Sequence, residues 1–425
     1  MPESSARHPQ QRLIRSLGLG LITGAADDDC SAIGTYAQAG AQLGYNALWT
    51  APVTFPMMVT AVYLSGKLGQ VTGQGLFGVL REQLPRWLTL CILAAVLVGN
   101  TIEAGADIGG MAAAMGILIH VRHSIIVVAV TACVLILQIW GSYRLIRNIF
   151  RSLALSLLAY VVSAFLSHPN LAHVARGTLA PTVHFDRSTL TILVAIIGSS
   201  LSAYLFTWQS NEEVEEKEAA GKHTGSQRRG TTEAELTSSR WDVIFGMLFS
   251  NIVVYFIMLA TATTLFVTGH HQIESAADAA QSLRPLAGRA AGLLFTLGII
   301  GVGFLAVPVM TIGAAYDVSQ TFGWKNGLQH KPAAAKRFYA AVTLFTLLAM
   351  ALNFFGINPM RALVIAGIVQ GFSTPPLMLL IMIMTNRRSI MGERVNGLGA
   401  NVLGWTTTAV VSSASCFLIF SWFHR

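Results

Sequence analysis

Apolar residues in this chain gather into long runs, and polar residues collect between them. Each run is about as long as the ~20 mostly apolar residues that a bilayer-spanning helix needs. Eleven fall near residues 17–43, 46–68, 88–117, 122–141, 145–167, 189–211, 241–268, 288–320, 335–354, 359–385 and 399–421. The pattern predicts an all-α membrane protein of eleven transmembrane helices. Two runs depart from continuous helix. The first holds "GAADDDCSAIG", Gly24 to Gly34, and the sixth holds "IGSSLSAYLFTWQ", residues 197–209. The two runs are five apart, which is the spacing of a five-plus-five inverted repeat in which each half opens on a broken helix. Broken backbone is tolerated at membrane depth only where it lines a cavity or is buried in protein. The breaks are therefore expected to face each other near the midplane, with the eleventh helix outside the repeat.

Composition supports a membrane protein. Hydrophobic residues make up 53% of the 425 and charged residues 11%, against ~25% charged in a typical soluble domain. The net charge of +8 would suit nucleic acid were it not for its distribution. With the N-terminus cytoplasmic, 21 of the 28 Lys and Arg face inward, among them Arg7, Arg12, Arg15, Lys67, Arg81, Arg144, Arg147, Arg151, Lys217 and Arg228. That is the positive-inside bias of a membrane protein, so no nucleic-acid partner is implied, and the C-terminus falls outside. The chain reads as a cytoplasmic segment over 1–16, a ten-helix transport domain over 17–385, and a loop with the added eleventh helix over 386–425. The start is polar and basic and runs directly into the first span, without the form of a cleaved leader. A monomer in a bacterial inner membrane, with the lipid bilayer as its surroundings, is expected. Cys91, Cys133 and Cys416 read as small core residues. The loop over 210–240 reads as a helix running past the membrane, then a mobile linker. His120, His123, His168, His173, His184, His270 and His271 read as scattered external histidines.

Asp27, Asp28 and Asp29 lie about ten residues into the first span, surrounded by apolar sequence. A charge there costs at least ~2.5–3.5 kcal/mol, so it marks a cavity or a function. On a helix the three would splay over about 200 degrees, at ~100 degrees per residue. One or two can face a substrate while the others cap the break or face the vestibule. Their charge repels a carboxylate ligand and favours a cation, and oxygen donors suit hard ions such as Mg²⁺, Ca²⁺ and Mn²⁺.

"DDDCSAIGTYAQAGAQLGYNALWT", "SGKLGQVTGQGL" (65–76) and "LAVPVMTIGAAYDVSQTFGW" (305–324) resemble the first, second and eighth spans of the natural resistance-associated macrophage protein (NRAMP) family. The resemblance covers spans one to ten in order. It implies a LeuT-type fold and transport of divalent metal ions, with the ion as cargo and no cofactor. It also implies roles for particular residues. The family's Asp-Pro-Gly-Asn motif, aligned through "QAGA" (38–41), falls on Asp29, Cys30, Ser31 and Ala32, so the metal-binding aspartate is kept and the coordinating asparagine is Ala32. The Met-Pro-His motif falls on Ser202, Ala203 and Tyr204, so the soft thioether and the histidine linked to proton movement are both missing. Without the thioether, discrimination against hard ions should fall, and a wider acidic site could carry Mg²⁺ with its water. In these respects the chain is similar to the divergent NRAMP-related magnesium transporters. A Cys30 thiolate would restore a soft ligand.

In the third span Asn100, Glu103 and Asp107 share one helix face. Asp107 matches a family aspartate on the proton route, and the acid three residues on is Gly110. Glu103 could substitute, or the stripe could pair with basic groups or line a wet crevice. In the sixth span Trp208, Gln209, Glu212, Glu213 and Glu216 extend toward the cytoplasm; Gln209 is placed on the inner path and the glutamates are read as solvated. Gln370 stands one turn from the family's coordinating glutamine, whose place is taken by Gly367, and is a candidate contact through water. Asp317 reads as a helix-end acid. The expected function is a Mg²⁺ or Mn²⁺ transporter working by alternating access around Asp29, weakly or not coupled to protons. Its rivals are a proton-coupled Mn²⁺/Fe²⁺ transporter, an amino-acid or organic-cation carrier, which would need aromatic walls such as Tyr36, Tyr204 and Trp208, and an intramembrane aspartyl protease. The protease would need Asp29 and Asp107 as a pair, and the flanking residues of that class are absent.

Overall fold

The computed structural model describes residues 19–140, 157–182 and 186–423. The segment 1–16, the first part of the run at 145–167, the basic residues Arg7, Arg12, Arg15, Arg144, Arg147 and Arg151, and His184 lie outside them. Among the described residues every regular element is helical. The main ones are α1 (Leu19–Asp27), α2 (Cys30–Leu43), α3 (Thr50–Thr72), α4 (Leu76–Gln83), α5 (Arg86–Leu118), α6 (His123–Trp140), α7 (Leu158–Leu166), α8 (Leu171–Leu179), α9 (Arg187–Ser200), α10 (Ala203–Ala219), α11 (Glu233–Thr261), α12 (Ala291–Phe322), α13 (Lys336–Leu352), α14 (Pro359–Asn386) and α15 (Leu398–Phe423).

Helix lies on every predicted run, yet seven helical stretches are long and apolar enough by themselves to cross a membrane, or up to eight if the pair bent by 116° between Cys30–Ala47 and Thr50–Thr72 counts as one. The shortfall from eleven has identifiable sources. The first run is split between α1 and α2, α13 is only 17 residues long, and the fifth run is described only in part.

The broken segments sit inside the bundle. α1 packs on α11, α9 on α14, and α5 on α12 and α14. Small residues permit these approaches, as is usual where lipid supplies no hydrophobic drive between helices. A Cβ added to Gly198 would stand 1.8 Å from the Gly367 carbonyl oxygen and 2.4 Å from the Gly371 nitrogen. Backbone therefore lies against backbone where α9 crosses α14.

Two expectations are corrected. Cys91, Cys133 and Cys416 are exposed, not core. They lie on outward helix faces, where a weakly polar thiol tolerates an apolar environment. The segment after α10 is pinned. Lys217 Nζ donates to the carbonyls of Arg228 (2.8 Å), Gly230 (2.7 Å) and Gln70. Gly230 N donates to Val71 O at 2.9 Å, and Thr224 and Gln227 form a capping box. The Gly- and Ser-rich composition suggested a linker, but one buried ammonium holds the loop's carbonyls against the end of α3.

The α9–α14 crossing predicts that Gly198→Ala lowers the melting temperature of the purified protein, since overpacking costs typically ~1–3 kcal/mol. Gly116→Ala on α5, where an added Cβ meets nothing within 4 Å, should leave it unchanged or slightly raised. Thermal unfolding of the two variants side by side checks this.

Candidate functional site

The first break follows from its own side chains. α1 ends at Asp27 and α2 begins at Cys30, with Asp29 as an extended N-cap residue (φ −65°, ψ 179°) whose carboxylate accepts from Ala32 N at 2.6 Å. An aspartate is among the favoured N-caps, because its oxygen satisfies one of the free amides at a helix start. A second acid serves the same end: Ser31 N donates to Asp107 Oδ1 at 3.0 Å. The second break places Ser202 before α10, with no side-chain cap. Its hydroxyl turns back to the Gly198 carbonyl at 2.9 Å, and Gln370 Oε1 receives Ala203 N at 3.2 Å. Two helix N-termini, each carrying partial positive charge, thus open onto the same acids.

The hydrogen bonds tie the two breaks to the α5 stripe. Ser31 Oγ lies 2.9 Å from Asp29 Oδ1 and 2.9 Å from Glu103 Oε1. Tyr204 OH lies 3.0 Å from Asp29 Oδ2 and 2.7 Å from Ala26 O. Gln370 Nε2 donates to Glu103 Oε2 and, at 3.3 Å, to Asn100 Oδ1. Ser202 Oγ is 3.5 Å from Glu103 Oε1. Asp27 and Asp28 form a second group around Ser250, whose hydroxyl is 2.7 Å from Asp27 Oδ2 and 2.9 Å from Asp28 Oδ1.

A hydroxyl has one hydrogen. Ser31 cannot donate to Asp29 and Glu103 at once, and Ser250 cannot donate to Asp27 and Asp28 at once. Each carboxyl pair therefore calls for a proton or a cation between its members. The five acids Asp27, Asp28, Asp29, Glu103 and Asp107 are each 0–2% exposed, and one oxygen on each of Asp27, Asp28 and Asp107 has no hydrogen-bond partner. The ion pairs among the described residues, Arg228–Glu218, Arg229–Glu82 and Arg394–Glu233, touch none of them. The alternative in which the α5 stripe pairs with basic groups finds no support there.

The structure thus gathers Asp29, Ser202, Tyr204, Gln370, Asn100, Glu103 and Asp107 into one cluster, with Ala32 at its edge through its amide. Asp27 and Asp28 adjoin it. Cys30 is buried, and its thiol donates to the Ile299 carbonyl on α12 at 3.4 Å. Gln209 does not reach the cluster through any of its hydrogen bonds. It accepts from Thr23 at 2.7 Å and donates to Glu213 at 3.1 Å. Glu212 and Glu213 are buried instead of solvated. Glu213 also receives Gln70 at 2.6 Å and Ser239 at 2.6 Å, so α10 is covered where a bare cytoplasmic helix was expected; Glu216 alone of the three is exposed. Asp317 is fully buried, five residues before the end of α12, and is no helix-end acid. Ser31 and Ser250 were missed. Ser31 was legible as the residue two after Asp29, a position able to bond its carboxylate; Ser250, 223 positions from Asp27, carried no local signal. Among the described residues no three His, Cys, Asp or Glu converge closely enough to hold an ion by themselves. The external histidines therefore form no such group there, and an ion at the central cluster would complete its shell with hydroxyl, amide or water oxygen.

The chain is similar to the divalent metal cation transporter MntH of Klebsiella pneumoniae strain 342, at 26% identity over 423 residues, covering 98% of this chain and 96% of that one. Its fold is similar to the crystal structure of the Eremococcus coleocola manganese transporter in complex with an aromatic bis-isothiourea substituted compound, with a TM-score of 0.77 at 16% identity, covering 100% of this chain and 90% of that one. It is also similar to Mhp1, a nucleobase-cation-symport-1 family transporter in a closed conformation, with a TM-score of 0.63 at 12% identity, covering 95% and 92%. These relatives are transporters, not enzymes. The natural resistance-associated macrophage protein-like (Nramp) family matches residues 20–421, and the chain belongs to that family.

Proposed function

We propose that the protein carries divalent metal cations across a membrane by alternating access around Asp29. The observation that carries this reading is the set of five buried acids without a basic partner among the described ion pairs, in which single hydroxyls stand between paired carboxyls. Buried charge without compensation is strongly destabilising, so such a site has a standing demand for positive charge. The family relationship and the MntH relative point the same way.

The finer reading follows from the residues. Eleven spans, ten of them in a five-plus-five inverted repeat, would pivot on the breaks at 28–29 and 201–202. The positive-inside bias supports an N-terminus in the cytoplasm and a C-terminus outside, and the chain is read as a monomer in a bacterial inner membrane. Asp29 and Ser202 face the ion, and Gln370 and Tyr204 orient the acids around it. Cys30, its thiol engaged by Ile299, packs the break. The preferred ion is Mg²⁺ or Mn²⁺. Mg²⁺ keeps several waters and is held by one or two carboxylates, which suits a site without three converging ligands.

Three outcomes test this. Asp29→Asn keeps an N-cap of equal quality while removing the charge, so it should fold normally and reduce Mn²⁺ and Mg²⁺ uptake into liposomes to background; Asp27→Ala should do less. Uptake by Asp29→Asn equal to the parent's would sink the site. Ser202→Met adds a soft ligand and should raise the Cd²⁺/Mg²⁺ ratio in competition assays, and an unchanged ratio means that position 202 does not face the ion.

The third concerns protons. An acid at position 110 would meet the Leu363 side chain and the Cys30 Cβ, as the contacts of an added Cβ at Gly110 indicate, and a tyrosine, whose reference value of ~10 is far from neutrality, is a poor substitute for a histidine as a proton relay. Transport is therefore expected to be weakly coupled or uncoupled, driven by ~2.3 kcal/mol per charge per 100 mV of membrane potential. A pH-sensitive dye inside liposomes at clamped potential should report little acidification during cation uptake. Acidification that scales with the cation and disappears in Glu103→Gln would reverse this and make the α5 stripe the proton path.

A further inference from the structure

The two acids of α5 meet the start of α2 in different ways. Asp107 takes a backbone amide, that of Ser31, at 3.0 Å. Glu103, one turn earlier on the same face, is reached by side chains: Ser31 and Ser202 at Oε1, and Gln370 at Oε2. Glu103, Ser31 and Ser202 are 0% exposed and Asp29 is 1% exposed. Asp107 is thus occupied in holding the break, while Glu103 turns one oxygen toward Asp29 through a single serine.

That serine stands between two acceptors. Its Oγ lies 2.9 Å from Asp29 Oδ1 and 2.9 Å from Glu103 Oε1, and it has one hydrogen. Ser202 does not supply the second. Its hydroxyl is 2.9 Å from the Gly198 carbonyl and 3.5 Å from Glu103 Oε1, and the longer distance is at the outer limit of a hydrogen bond. One of the two carboxylate oxygens therefore faces a lone pair of Ser31. The spacing is also that of a metal shell. With oxygens at ~2.0–2.1 Å in an octahedron, neighbouring ligands stand about 2.9 Å apart, whereas the ~2.3–2.6 Å of Ca²⁺ spreads them to about 3.3–3.7 Å. A small ion accepts a lone pair from each of the three oxygens and removes the shortage of hydrogen.

We propose that Asp29, Ser31 and Glu103 together form the ion site, with Glu103 as its second anionic ligand, the Ser31 hydroxyl as the ligand between the carboxylates, and Ser202 at the rim. The ion it fits is a small octahedral divalent cation of the Mg²⁺ class, which is held by one or two carboxylates and keeps water on its other positions. Two carboxylates agree with the absence, among the described residues, of three converging His, Cys, Asp or Glu. This rests on the transport reading above and adds to it a ligand from α5, so that Glu103 holds the cargo instead of relaying protons.

The test is calorimetric titration of the purified full-length protein with Mg²⁺, Mn²⁺ and Cd²⁺, each alone, in the parent, Asp29→Asn, Glu103→Gln and Ser31→Cys. Glutamine copies the shape of a protonated Glu103, so Glu103→Gln separates a ligand from a proton carrier. It should weaken Mg²⁺ binding by more than about tenfold, a loss that even a group outside the ligand shell produces. Ser31→Cys puts a soft sulfur between the carboxylates and should raise the ratio of Cd²⁺ to Mg²⁺ affinity by about tenfold, a gain that a purely structural serine does not give. This variant decides the matter if Glu103→Gln melts early. Mg²⁺ binding by folded Glu103→Gln equal to the parent's, or an unchanged ratio in Ser31→Cys, overturns the shared site, and the transport reading stands if Asp29→Asn has lost binding. If the parent binds neither Mg²⁺ nor Mn²⁺, the transport reading falls and the shared site with it.

Discussion

The structure depends on one electrostatic constraint: several acids share the interior of a helical bundle with too few hydrogens to go round. Asp29, Ser31 and Glu103 form a unit in which one hydroxyl lies between two carboxyls, and Asp27, Ser250 and Asp28 repeat it. In a low-dielectric interior, like charges at these separations repel strongly. Helix N-termini and amide donors relieve part of this. Ala32 N and Ser31 N are aimed at Asp29 and Asp107, and Gln370 holds Glu103. What they leave over is a requirement for a proton or a cation between the carboxyls, and the proposed transport role rests on that requirement.

The broken helices and the acids explain each other. A helix start presents free amides that must be satisfied, and an aspartate at the cap satisfies them while becoming fixed in place. Asp29 is thus a structural cap and a candidate ligand with the same carboxylate. Tyr204 joins the two breaks directly, since its hydroxyl meets both the Asp29 carboxylate and the Ala26 carbonyl. A movement of α10 relative to α1 would change the surroundings of Asp29 at once. Gly198 on Gly367 and Gly371 fixes α9 tightly against α14 in the same bundle.

The inner half of α10 shows how one helix serves two purposes. Its Gln209–Glu213 face is closed into hydrogen bonds with Thr23, Gln70 and Ser239, which makes it an anchor for α3 and α11. Its Thr207–Asn211 face turns to Asp317 of α12 and, through Asn211, to Gln320. The Lys217 contacts then tie the following loop back to the end of α3. The two faces are distinguished by which neighbouring helices they meet, α1, α3 and α11 on one side and α12 on the other.

Much was legible in the chain itself. Long apolar runs require helices in a membrane, because backbone polar groups have no other partner there. Three acids with glycines in the first run, and a glycine with three serines in the sixth, marked the breaks, since such clusters do not belong in a continuous apolar helix. The i, i+3, i+7 spacing put Asn100, Glu103 and Asp107 on one face. These are local properties, set by hydrogen bonds and side-chain cost within a few residues. Partnership was not legible. Ser250 meets Asp27 and Asp28 across more than two hundred positions, Gln370 meets Glu103 across 267, and Glu213 is buried because α3 and α11 happen to cover it. Asp317 looked like a helix-end acid because its place in the chain says nothing about α10 lying over it. Burial and hydrogen-bond satisfaction belong to pairs of distant segments, and only the packed tertiary structure decides which pairs meet.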